Sequence, residues 1–170
     1  MGIWEHFFAK TSLTPDFSSQ LHEKIFNRLP DRNEETILTL TCIAGLMARV
    51  AFIDFHIDER ERQNMLDALA EFDDLKPGES EVITDIALEE IKNLSGLENH
   101  LYCYPISETL CLNERFNIVK ALFTLAASDD GVSEKESEEI RQITKGLLLE
   151  HKHFIAARAY VLEKLDSLKN

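Results

Sequence analysis

Apolar residues recur along most of the chain with the three-and-four spacing of a helix. Residues 16–28 carry the pattern up to Leu29-Pro30, where proline cannot continue a helix and pushes Leu29 out of helical geometry. A second helix is expected over 33–54, opened by capping residues between Asp31 and Asn33. Its apolar positions Ile37, Leu40, Ile43, Ala44, Met47, Val50 and Ala51 cover a stripe wide enough for a central core helix. Further helices are expected over 58–72 and 79–94, separated by the turn Lys76-Pro77-Gly78. Residues 97–112 are the least periodic and have room for one short helix. Three more follow, over 113–127, from Ser133, and over 151–168; the last is expected to bury Phe154, Ile155, Val161, Leu162 and Leu165. No run alternates with the period of a strand. The expected fold is all-α, a single helical bundle of about seven helices with two pseudo-repeated helix–loop–helix units.

The repeat is read by direct alignment. Asp54-Phe55-His56-Ile57-Asp58-Glu59-Arg60-Glu61 pairs without gaps with Asp129-Asp130-Gly131-Val132-Ser133-Glu134-Lys135-Glu136. Each copy follows an apolar helix and opens a polar one. Asp58 with Glu61, and Ser133 with Glu136, have capping-box spacing, and Ile57 and Val132 stand where a hydrophobic staple belongs. The leading aspartates continue the apolar stripes of their helices, so Asp54 and Asp129 are expected on the inward side, at a helix end whose dipole disfavours a carboxylate. Two compensations are open: the N–H groups of the following helix, or a bound cation. Oxygen-only donors suit a hard divalent ion, calcium or magnesium, with Asp54, Asp58, Glu61, Asp129, Asp130 and Glu136 as candidate ligands. The loops are not EF-hands, because Glu136 follows Gly131 by five positions rather than six.

These residues carry a family resemblance. The stretch from Ala44 to Asp54 with Ile57-Asp58-Glu59-x-Glu61, and Asn113-Glu114-Arg115 leading through Ala126-Ala127-Ser128-Asp129-Asp130-Gly131-Val132 to Glu136, resemble the TerB family of tellurite-resistance proteins over roughly 34–165. The resemblance implies an all-helical domain over 34–168 preceded by an N-terminal helical extension, 1–33. It implies a non-enzymatic role linked to stress responses, metal binding through the acidic turns, and related domains beside chaperone J-domains. The chain departs from the family pattern at Phe55-His56, where a small turn such as Asp-Gly is usual, and at Ser133, which stands in the place of a second Asp.

Composition narrows the partners. Eighteen Lys and Arg against 31 Asp and Glu give a net charge of −13, a field that repels nucleic acid and anionic lipid and attracts cations and basic proteins. The apolar run 43–53 is too short to span a bilayer. An odd count of three cysteines without C-x-x-C spacing points to a reduced, cytoplasmic setting, with Cys42 a small core residue. The N-terminus does not read as a signal peptide, and Trp4, Phe7 and Phe8 are expected to pack inward. Glu150-x-x-His153 is half of a di-iron motif without its second half, and no P-loop, nucleophile-elbow or dinucleotide fingerprint occurs. Two functions lead: a non-catalytic divalent-metal module, or an adaptor or co-chaperone-type domain with a protein partner and no metal; a third, an acid-dependent hydrolase, has no motif in its support.

Overall fold

The computed structural model describes residues 16–72, 75–94, 100–127 and 131–170. Within them lie eight helices: α1 Asp16–Arg28, α2 Glu34–Ala51, α3 Glu59–Ala70, α4 Glu79–Leu94, α5 His100–Thr109, α6 Leu112–Ala126, α7 Glu134–Gly146 and α8 His151–Lys169. The fold class is all-α, and α5 is the short helix inside the weakly periodic stretch. The aromatic positions Trp4, Phe7 and Phe8 lie outside the described residues.

Helix α2 organises the bundle. It packs against α1, α3, α4, α5, α6 and α7. It is buried nearly all round, from Ile37 to Ala51. Such a helix has little solvated face, so its polar groups need internal partners. The buried Thr41 hydroxyl donates to the Ile37 carbonyl at 2.7 Å. Asn33 caps the first turn by accepting from the Thr36 N–H at 2.8 Å. Arg49 leaves the apolar surface through an ion pair with Glu139 of α7 at 3.0 Å.

Helix α5 plugs two niches. The Tyr102 ring lies on α2 where Gly45 has no side chain; a Cβ there would sit 2.5 Å from Tyr102 Cε1. Cys103 lies on α7 at Gly146, where a Cβ would meet its Sγ at 2.8 Å. Both side chains are fully buried, and burial pushes the Cys103 thiol up to about 12 and the Tyr102 phenol well above its ordinary range. Cys42 is buried as expected, and its thiol is raised by the same loss of water.

The N-terminal helix belongs to the same core. Leu21 and Ile25 are fully buried, and α1 packs on α2 and α4. Lys24 pairs with the buried carboxylate of Glu90 on α4, and Arg32 holds Glu79 at the start of α4 at 2.6 Å. On α8 Phe154 and Val161 are buried as expected, together with Ala157, but Leu162 and Leu165 are only partly buried and Ile155 is half exposed. The three-and-four spacing that includes Phe154, Ala157 and Val161 excludes its neighbour in the chain. No helix among the described residues is long and apolar enough to cross a membrane.

Candidate metal centre at the acidic turns

The first turn is built from the end of α2. Phe52 N–H donates to the Ala48 carbonyl at 2.9 Å, and Phe55 N–H to the Phe52 carbonyl at 2.9 Å, so the chain tightens and leaves the helix axis. The helix ends at Ala51, three residues before Asp54. That early end corrects the expectation that Asp54 faces inward: the residue is exposed, because the turn has already rotated it off the α2 stripe. Its carboxylate compensates locally, with Oδ1 accepting the His56 N–H at 3.0 Å. Phe55 takes the left-handed conformation, φ 63°, which is costly for a bulky side chain. It stands 76% exposed, edge-on to Phe52 with ring centroids 5.7 Å apart.

The capping boxes form as their spacing predicts. Asp58 Oδ1 accepts the Glu61 N–H at 2.9 Å and Glu61 Oε2 accepts the Asp58 N–H at 2.9 Å. In the second unit Ser133 Oγ accepts the Glu136 N–H at 3.3 Å and Glu136 Oε2 accepts the Ser133 N–H at 2.9 Å. Ile57 and Val132 pack against the core beneath their caps. Gly131, which aligns with His56, is left-handed at φ 95°, whereas in the first turn the left-handed residue is Phe55. The two units share their caps. Asp129 and Asp130 lie outside the described residues.

The two units are coupled electrostatically. The Glu61 carboxyl is held above its usual range, first by partial burial, then by the negative charges of Asp58, Asp54 and Glu136, with the hydrogen bond from Asp58 N–H acting the other way. Glu136 belongs to the second unit, so the two caps lie within electrostatic reach of each other. Among the described residues, no group of three or more His, Cys, Asp or Glu lies close enough to hold a metal ion. The donors fit a hard cation in kind, since each capping carboxylate spends one oxygen on a backbone N–H. In number the described side chains alone fall short of the six or so oxygens that calcium or magnesium takes.

A pH prediction follows from Glu61. A raised folded-state pKa means that the folded protein holds the proton more tightly than the unfolded chain. The group's stabilising contribution is full below the unfolded value, roughly 4.3, and is lost as pH rises through the folded value. Glu61→Gln keeps the cap, because Gln also serves at this position. It is expected to raise Tm near neutral pH, about pH 7, with the gain closing in acid, where the wild-type carboxyl is protonated. Thermal melts across that range check it; an unchanged or lower Tm at neutral pH overturns the repulsion account.

Sequence reasoning missed Arg49–Glu139, because a residue 90 positions away is invisible to local spacing. This pair borders a small cleft, about 110 Å³, walled by Phe52, Ile53, Phe55 and Ile91 beside the first turn. Arg115 was noted only as part of a sequence stretch; its Nη1 donates to the Leu147 carbonyl at 2.7 Å and closes the end of α7.

Comparison with known proteins bears on the acidic turns directly. No curated protein and no solved structure matches the chain. A family model described as tellurite resistance protein TerB matches residues 40–159, a stretch that contains α3 to α7, most of α2 and both acidic turns, and the chain therefore belongs to the TerB family.

Proposed function

We propose that this chain is a non-catalytic, cytoplasmic TerB-family module of a stress response in which the paired acidic turns take up a divalent cation. The observation that supports the reading is the electrostatic coupling of Glu61 with Asp54, Asp58 and Glu136 across the repeat. A cation placed between these carboxylates would relieve that repulsion. Asp54, Asp58 and Glu61 from the first turn, and Asp129, Asp130 and Glu136 from the second, are the proposed ligands. Tellurite resistance enters through the family, and the cation is calcium or magnesium by donor chemistry.

The test is calorimetric titration of calcium and magnesium into the full chain and into Glu61→Gln/Glu136→Gln, which keeps both caps while removing two charges. Saturable binding that raises the wild-type Tm and is lost in the double variant is the expected result. Absence of heat and of any Tm shift at about millimolar ion, a binding free energy of only about 4 kcal/mol, sinks the proposal.

One observation favours a second reading, an adaptor or co-chaperone-type domain. Phe55 stands 76% exposed beside carboxylates, as an apolar anchor point for a basic protein partner would. That reading expects a salt-sensitive partner interaction that does not respond to divalent ions.

A further inference from the structure

We propose that the cleft between the end of α7 and the start of α8 is a binding site for a small organic carboxylate with an apolar, ring-sized body. The cleft, about 410 Å³, is lined by Arg141, Thr144, Lys145, Leu149, His151 and Phe154. That volume lies within the range of small-molecule pockets, about 300–1,000 Å³.

Its charge is the reverse of the protein's. The chain carries −13, and three other clefts are lined in part by carboxylates: Glu35 and Glu114 in one, Asp67 and Glu71 in the second, Glu139 in the third. No carboxylate among the described residues lines this one. Two acids that flank the lining residues along the chain are already matched. Glu138 is engaged by Arg141 Nη2 at 2.6 Å and Nε at 2.9 Å, which holds its carboxyl at about 2. Glu150 pairs with Lys152 at 2.8 Å. Lys145 makes no ion pair among the described residues, although Glu138 feels its charge, and it stands exposed as the cation of the mouth with the His151 ring beside it. Opposite charge, rather than a neutral polar ligand, is what this mouth selects.

The floor sets the other half of the ligand. Leu149 and Phe154 are buried, at 7% and 5% exposure, and His151 stacks on Phe154 with ring centroids 5.6 Å apart and planes 19° apart. The Thr144 hydroxyl is spent on the Ile140 carbonyl at 2.7 Å, so it adds little polarity. An apolar body against Leu149 and Phe154, with its anion toward Lys145 and His151, uses both features. A bare, heavily hydrated oxyanion uses only the second. The site is separate from the acidic turns, and its test is independent of the cation.

Benzoate is the probe, with benzamide as its neutral counterpart, acetate as the charge without the ring, and inorganic phosphate as the bare oxyanion. Each is titrated into the full-length protein and followed by amide chemical shifts over 141–154. The expected result is saturable benzoate binding in the millimolar range, at least about tenfold tighter than benzamide, acetate or phosphate, as suits so small a ligand. Lys145→Glu is expected to weaken it by about tenfold or more through charge reversal at an exposed position, whereas Glu61→Gln/Glu136→Gln leaves it unchanged. Three results overturn the proposal: no shift up to about 50 mM benzoate, equal response to benzamide or phosphate, or binding indifferent to Lys145→Glu in a variant that melts like the wild type.

Discussion

Leu21→Ala/Ile25→Ala is expected to bring the whole protein close to unfolding, although both residues lie before the stretch that matches the family model. Both side chains are fully buried, and their helix packs on α2 and α4. Truncating a buried Leu or Ile to Ala costs about 2–5 kcal/mol through lost transfer energy and the cavity left behind. The two sit one helical turn apart and share neighbours, so the costs need not add. Their combined loss still rivals the total stability of a domain, about 5–15 kcal/mol. The polar ties work in the same direction: Lys24 meets the buried Glu90, and Arg32 meets Glu79. Urea unfolding followed by two probes is the measurement. One cooperative transition at a much lower midpoint shows that α1 is integral to the core. A wild-type midpoint with only a small early loss of helix shows that it is a detachable extension.

The second large effect is expected at Gly45. A Cβ at this position lies 2.5, 2.8 and 2.9 Å from Cε1, Cδ1 and Cζ of Tyr102, a rigid ring that is fully buried and cannot swing aside. Alanine recovers about 1 kcal/mol of helix propensity, which offsets part of the clash. Valine adds two methyl groups and no such gain, and is expected to cost about 3 kcal/mol, at the upper end of core overpacking. Tyr102→Leu, which removes the ring, is expected to reduce the penalty of Gly45→Val, so the double-mutant cycle shows favourable coupling. The phenol is separable from the ring. Its oxygen is buried without a hydrogen-bond partner among the described residues, so Tyr102→Phe alone is expected to leave stability unchanged or slightly higher. Additive costs for Gly45→Val and Tyr102→Leu would show that the ring is not what excludes a side chain there.

The helices were legible because their determinants are local. The caps at Asn33, Asp58 and Ser133, the stop at Leu29-Pro30, and the spacing of Leu40, Ile43, Met47 and Val50 all act within a turn or two of the residues they govern. Asp54 was misread for a related reason. The stripe extrapolates correctly only while the helix lasts, and α2 ends at Ala51. The repeat was legible as an alignment, but the choice of Phe55 over His56 for the left-handed position was not. Phe is a poor local candidate for positive φ, and it is held there by the hydrogen bonds that close the turn.

By itself, then, the sequence determined the all-helical class, the places where the capped helices begin, the family, and the acidic caps, since periodicity, capping and charge are read along the chain. Only the tertiary structure decided that α1 completes the core around α2, that Gly45 and Gly146 are niches for Tyr102 and Cys103, that Glu61 feels Glu136 across the repeat, and that a cationic cleft opens between α7 and α8 in an acidic protein. Each of these joins residues far apart in the chain. Their proximity is set by how helices pack, face against face, and no local pattern encodes that distance.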